Sequence, residues 1–485
     1  MAPSIHRGAR TLAFRFGTHA DARTSEMNEM ARRPMRASIV FATLLGTALA
    51  IGAQAPPDPE QVLAKARDNI LDRTDRLPNY TCVQTVDRQY LHLKQPVFPV
   101  RSCDDMSAKR NKKNNLLYLE ATDRLRLDVK VSGGTEIGAW ANASHFDDGN
   151  LMKLIKGPFG TGALGTILRD IFTGSSVSFY FDGEEAMDSL KLFRYRYEVS
   201  QESSHHMIHT GSDWAFTAYD GAVWIDPKSF ELRRLQMRTS ELPEESGACE
   251  STTTVEYASS RIGTGDFLLP QHSTLHFLMR DMGESDVATA YSSCHQYHAE
   301  ANLITDPGTL AAESPAAHAP ISIPAGLVLT LTLTEPIDTD TAAAGDVVVA
   351  TVSKIARDPK SKKHQAGEIV ISKGSTVRGR IVLMLHLLDF PQSFVIAIQL
   401  ETVEINGIPS PLYAIRPQHN EPWKVTKVIL DRYLTRPIFL PPRGQSRLVC
   451  NFPFFTDANH YVMPRGYETQ WTTVPASEFV TEPRP

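Results

Sequence analysis

Three groups of residues in this chain have the types and spacing for chemistry. Gly160-Thr161-Gly162-Ala163-Leu164-Gly165 matches the dinucleotide fingerprint letter for letter, and Asp182 and Glu184 follow about 20 residues on, where an acid would hold a ribose. That pattern works only where a buried strand feeds the glycines and a βαβ unit follows, and Lys156-Gly157-Pro158-Phe159 is no such strand. The segment reads instead as a Gly-rich loop leading into a short helix with Leu164, Ile167, Leu168, Ile171 and Phe172 on one apolar face. Histidines form the second group. His205, His206 and His209 follow Glu202, and His295 and His298 flank Tyr297. None of them makes the paired helical His with adjacent Glu of a metalloprotease, and adjacent strand residues point to opposite faces, so no metal site and no cofactor is expected. The acidic pairs Asp104-Asp105, Asp147-Asp148, Glu184-Glu185 and Glu244-Glu245 read as loop charges, and no Gly-x-Ser-x-Gly elbow occurs. No catalytic residue is assigned, and a non-enzymatic protein is expected.

Cysteine is the third group, with five residues. In an oxidising compartment five suggests two disulfides and a remainder. The sequence-local solution joins Cys82 to Cys103 and Cys249 to Cys294, leaves Cys450 single, and contributes about 3 to 4 kcal/mol per bridge by loop closure.

The N-terminal region supplies the compartment. Arg32, Arg33 and Arg36 precede an uncharged apolar run from 37 to 52, and Ala53-Gln54-Ala55 is a small-x-small cleavage pattern. Residues 1–29 therefore read as an over-extended start, with Met30 or Met35 as initiator, and 30–55 as a signal peptide cleaved near Ala55. The run falls short of the roughly 20 residues a spanning helix needs, no cysteine sits at the cleavage point, and no later stretch is long enough, so no integral span is expected in the mature chain. A periplasmic or secreted protein follows. The chain carries a net charge of -5, and 1–55 holds seven basic against three acidic residues, so the remainder is more acidic still. That balance argues against nucleic acid as a partner. The basic runs at 109–113 and 360–363 read as solvated loop tips.

About 430 remaining residues exceed what one core organises, and two domains fit best. A helix is expected from 59 to 77, capped by Asp58 with Pro59 in its first turn and Leu63, Ala66, Ile70 and Leu77 as its stripe. Period two then takes over. In 124–131 every apolar residue faces one side and every charge the other, the mark of an antiparallel sheet with one wet face. Similar stretches follow at 177–181, 193–199, 222–237, 252–257, 267–277 and 287–304, with turn chemistry at Asp226-Pro227-Lys228-Ser229. Residues 305–322, rich in Ala, Pro and Ser, read as a linker between a domain at 56–304 and one at 323–485. Strands are expected in the second at 327–334, 346–355, 368–371, 376–385 and 394–405, with Asn406-Gly407 as the strongest hairpin signal and 465–471 as a last strand. The fold class is mainly β with a few helices: a curved antiparallel half-barrel plus a small β-barrel or sandwich.

The succession of an N-terminal helix, amphipathic strands, Gly221-Ala222-Val223-Trp224-Ile225-Asp226-Pro227, Thr253-Thr254-Val255-Glu256-Tyr257 and Phe267-Leu268-Leu269-Pro270 resembles the periplasmic lipoprotein-carrier (LolA-type) and sigma-regulator (RseB-type) fold over 60–304. That resemblance implies a curved sheet around helices whose concave apolar side holds acyl chains or hydrophobic peptides, and it offers no catalytic residue to carry over. Ile323-Pro324-Ala325-Gly326, Gly345-Asp346-Val347 and Ile371–Gly379 resemble the TrbI-type envelope β-domain over about 90 residues. Three functions follow as expectations. The first is an exported binding protein for an apolar ligand (acyl chain, lipoprotein or hydrophobic peptide), with Phe159, Leu164, Ile167, Leu168, Ile171 and Phe172 as the ligand-contacting lid. The alternatives are an envelope scaffold acting on a protein partner through the C-terminal domain, and a secreted hydrolase.

Overall fold

The computed structural model describes most of residues 57–297 and 320–476; 95–102, 104–116, 147–154, 358–370, 417–449 and several shorter stretches lie outside the described residues. Residues 1–56 and 298–319 also lie outside them, and with them the leader, the cleavage pattern, His298 and most of the linker.

Helix α1 (Pro59–Asp75) begins where the Asp58 carboxylate accepts the Glu60 N–H at 3.1 Å, with Pro59 supplying a helical φ in the first turn. Its buried stripe is Val62, Ala66 and Ile70, with Leu63 half-buried, one residue round from the stripe expected. The strands that follow are β1 (Tyr80–Leu93), β2 (Leu117–Ser132) and β3 (Thr135–Trp140), then helix α2 (Thr166–Thr173), β4 (Ser178–Met187), β5 (Leu190–Val199), the hairpin β6 (Met207–Thr210) and β7 (Asp213–Phe216), β8 (Tyr219–Ile225), β9 (Leu232–Thr239), β10 (Ala248–Ile262), β11 (Gly265–Met279) and β12 (Glu284–Gln296). Antiparallel pairings run β4-β5-β8-β9-β10-β11-β12-β1-β2-β3. The two end strands, β4 and β3, make no pairing with each other among the described residues, so the sheet is curved and unclosed. Both helices pack on its inner face, where Val62, Ile70, Leu168, Ile171 and Phe172 meet Tyr195, Tyr197, Val223, Leu235 and Val255.

The second region closes on itself. Its strands are β13 (Leu327–Leu333), β14 (Ile337–Asp338), β15 (Val347–Arg357), β16 (Thr376–Leu387), β17 (Ser393–Ile405), β18 (Ile408–Pro411), β19 (Ala414–Ile415), β20 (Cys450–Phe455), β21 (Val462–Met463) and β22 (Glu468–Thr473). From β17 the ladder passes to β18, which runs on into β19. It continues through β22, β13, β15 and β16 and returns to β17. Asn406 and Gly407, both at positive φ, make the tight turn from β17 to β18, as an Asn-Gly hairpin requires. The interior is filled by the region's own side chains, among them Leu329, Leu331, Val377, Ile396, Ile398 and Trp471.

The two regions share a ladder. One edge of β2 is divided between partners: residues 127–132 pair with β3, and 121–123 pair with Leu385–Leu387 of β16. The segment 340–346 fills the gap. Ala344 exchanges backbone hydrogen bonds with Arg124 and Arg126, Arg124 donates to the Asp340 carbonyl, and Arg126 pairs with Asp346. Gly345, at φ 111°, lies so close that an added Cβ would meet the Arg126 carbonyl oxygen at 2.0 Å, so only glycine fits. Arg380 of β16, 5% exposed, crosses the junction to the Ala141 carbonyl while also holding Gly345 O at 2.5 Å and Glu401 at 2.9 Å.

The disulfides correct the sequence-local pairing. Cys82 joins Cys294 and Cys103 joins Cys249, across 212 and 146 residues. The cause is the ladder: β1 lies antiparallel beside β12, with Thr81 opposite His295 and Val83 opposite Ser292, so Cys82 meets Cys294. Nearness in sequence does not decide partners once the last strand of a meander returns to the first. By chain entropy, closing the longer loop alone contributes about 5 kcal/mol. The Cys450 side chain lies outside the described residues.

Candidate functional site

Of the six residues expected to form a lid, four pack together on the inner face. Leu168, Ile171 and Phe172 are 2%, 0% and 0% exposed and pack with α1 and strands β5, β8, β9 and β10, with Ile167 half-buried beside them. Phe159 and Leu164 belong instead to the adjoining cluster around Tyr80, Leu127, Val129, Leu269 and Leu275. Burying Leu168, Ile171 and Phe172 stabilises the docked helix by about 1.5 to 3 kcal/mol per side chain. An eight-residue helix is not stable alone in water, so α2 persists only against an apolar surface. It is bounded by glycines at both ends, Gly165 and Gly174, and has no side-chain cap.

The loop before α2 is held by polar side chains that no local sequence pattern marks. Glu136 of β3 accepts the N–H groups of Gly162 and Leu164, each at 2.9 Å through a different carboxylate oxygen. Tyr80 of β1 donates its hydroxyl to Leu164 O at 2.8 Å, Tyr257 of β10 donates to Ala163 O at 3.1 Å, and Arg88 of β1 reaches Pro158 O at 3.3 Å. Arg88 is itself fixed by a buried pair with Asp123, at 2.7 and 2.5 Å. The anion that the Gly-rich loop grasps is thus a carboxylate of the same chain. Loss of water around the Glu136 carboxyl raises its pKa, against the two N–H bonds, which lower it. Burial also raises the pKa of Tyr80, Tyr257 and Tyr291, with the Glu136 charge acting in the same direction on each, so these phenols stay neutral.

Beyond α2 the apolar face runs out to the open edge. Phe172 stacks on Phe179 of β4 with ring centroids 5.4 Å apart. Two residues on, Phe181 lies on the same side of the strand, 45% exposed, with its ring 5.2 Å from Phe193 and 5.5 Å from Tyr195. β4 is exposed along most of its length and bears Tyr180 as well, 56% exposed.

The remaining candidates disperse. His205 lies 3.7 Å from Asp170, and His206 rests edge-on against Tyr219, burial lowering its pKa. His295 bonds to the Ser293 carbonyl, and the His209 side chain lies outside the described residues. Glu185 accepts the Trp224 indole N–H at 2.9 Å, and Glu244-Glu245 sit in a short 3-10 turn. Asp104-Asp105 and Asp147-Asp148 lie outside the described residues. The only described trio with metal-ligand types is Asp338, Asp340 and His460, all solvent-accessible. Its geometry is that of a hydrogen-bonded turn, since Asp338 accepts both the Asp340 N–H at 2.9 Å and the His460 imidazole at 2.8 Å. No described helix is long and apolar enough to cross a membrane.

No family model matches the chain, and no curated protein matches it. Among solved structures it is similar to a LolA superfamily protein from Nitrosomonas europaea, at 12% identity over 50% of this chain and 95% of that one, with a TM-score of 0.21. A DUF1329 family protein from Desulfovibrio piger matches at 10% identity over 49% and 94%, TM-score 0.23. The Mycobacterium tuberculosis lipoprotein LppX matches at 14% identity over 49% and 97%, TM-score 0.17. Scores and identities this low leave the functional reading to the chain's own geometry.

Proposed function

We propose that the protein is a non-enzymatic, exported binding protein for an apolar ligand, an acyl chain or a hydrophobic peptide, taken up on the inner face of the unclosed sheet. One observation carries this reading: the inner face is apolar, is covered at its open side by a helix too short to stand alone, and emerges at β4 with Phe181 45% exposed. A ligand entering beside Phe181 slides between α2 and β5. Each CH₂ it buries contributes about 0.8 kcal/mol before ordering costs, and α2 keeps its helix by packing on the ligand instead of the strands. The two disulfides fit folding in an oxidising compartment, in line with export.

A fluorescent fatty acid titrated into the full chain is expected to saturate. Ile171→Asp is expected to weaken binding more than tenfold, because the contact would desolvate a charge. Absence of saturable binding by the wild-type chain to fatty acids and to hydrophobic peptides contradicts the proposal.

A further inference from the structure

Among the described residues no Lys, Arg or His pairs with Glu136. On the neighbouring strand Val131 lies opposite it, and the ammonium of Lys130 is spent over the Tyr297 ring. The groups facing its carboxylate are phenols: Tyr80 from β1, Tyr257 from β10 and Tyr291 from β12. Each hydroxyl is turned to another atom, namely Leu164 O, Ala163 O and Ser273 Oγ. The carboxylate is therefore held by the Gly162 and Leu164 N–H groups, and these two donors are in turn satisfied by it. A buried N–H left without an acceptor is costly, so the loop stays seated while Glu136 stays in place. Three residues after Leu164 begin the side chains that dock α2.

We infer that Glu136 is an internal pseudo-ligand: its carboxylate fills the anion-binding N–H pair of the Gly160–Gly165 loop, seats the pivot of α2, and so sets how readily the helix leaves the inner face. Glu136 lies on β3, an end strand of the unclosed sheet, and reaches from there to the loop that precedes α2. Glu136 is thus a positioning residue and touches no ligand. The inference rests on the binding reading above for its purpose, though not for its test.

The test is local hydrogen exchange in the full chain, comparing wild type, Glu136→Ala and Glu136→Gln. In Glu136→Ala, protection across 162–173 is expected to fall at least tenfold while β8, β9 and β13 to β17 keep theirs. Sodium acetate, against a sodium chloride control, is expected to restore part of that protection by putting a carboxylate back between the two N–H groups. Wild type should not respond to acetate, and Glu136→Gln, which keeps one acceptor oxygen, should fall between. Wild-type protection of 162–173 in Glu136→Ala overturns the inference. So does a loss that is spread over the whole molecule in both variants, or one that acetate and chloride affect alike. A second readout separates this from the binding reading: if a fluorescent fatty acid binds wild type, its association rate should rise more than fivefold in Glu136→Ala. If no fatty acid binds, the binding reading fails and the exchange data still decide the role of Glu136.

Discussion

The two β regions solve the same problem in opposite ways. In the C-terminal region the β17-β18-β19-β22-β13-β15-β16 ladder returns to its start, so it has no end strand, and the interior is filled by side chains such as Leu329, Ile396 and Trp471. In the N-terminal region the ladder stops at β4 and β3, and the inner face needs helices to cover it. An interior filled by its own side chains leaves no room for a ligand; an inner face covered by helices can exchange its cover. On the proposed reading the unclosed region takes up the ligand, and the barrel, joined to it through β16 and Arg380, braces one of its edges.

The largest expected effect falls on the closed side. Trp471 is 1% exposed, and Trp471→Ala is expected to destabilise the chain by about 3 to 5 kcal/mol through the cavity it leaves. Under conditions where the variant is folded, fatty-acid affinity should stay within threefold of wild type by titration. A selective loss of binding would show that the barrel holds the ligand and would reverse the comparison.

A smaller effect concerns pH on the unclosed side. Burial holds the Glu136 pKa above its ordinary 4.5 when the loop is docked. A group whose pKa is higher in the docked state favours docking below its ordinary value, and that contribution is lost as pH rises through the raised value. Protection of 162–173, corrected for intrinsic exchange, should therefore decline as pH rises above the ordinary carboxyl range, and Glu136→Gln should flatten the trend. A rise in protection over those pH values would mean the two N–H bonds outweigh burial.

The sequence was legible where one physical rule acted locally. Asp58 and Pro59 marked the start of α1, Asn406-Gly407 marked the β17–β18 turn, and 124–131 announced β2 by strict alternation. The helix after the Gly-rich loop also formed where its apolar spacing indicated. β1 was not legible, because Gln84 and Arg88 occupy inward positions of the strand and break the apolar pattern; both are buried, and Arg88 is neutralised by Asp123, which lies 35 residues away. The disulfide partners and the Glu136 clamp share that difficulty. Nothing near Cys82 points to Cys294, which the return of β12 to β1 brings beside it, and nothing near Glu136 points to Gly162, which arrives on a loop 26 residues further on.

The most direct measurement of the central claim is hydrogen exchange of the full chain with and without a saturating fatty acid, resolved over α2 and over the barrel. If α2 is an exchangeable cover, protection of 162–173 changes on ligand addition while β13, β15, β16 and β17 remain as they were. If the fatty acid saturates and α2 exchanges as in the free protein, the ligand lies elsewhere, and the inner face is simply the core of the N-terminal region.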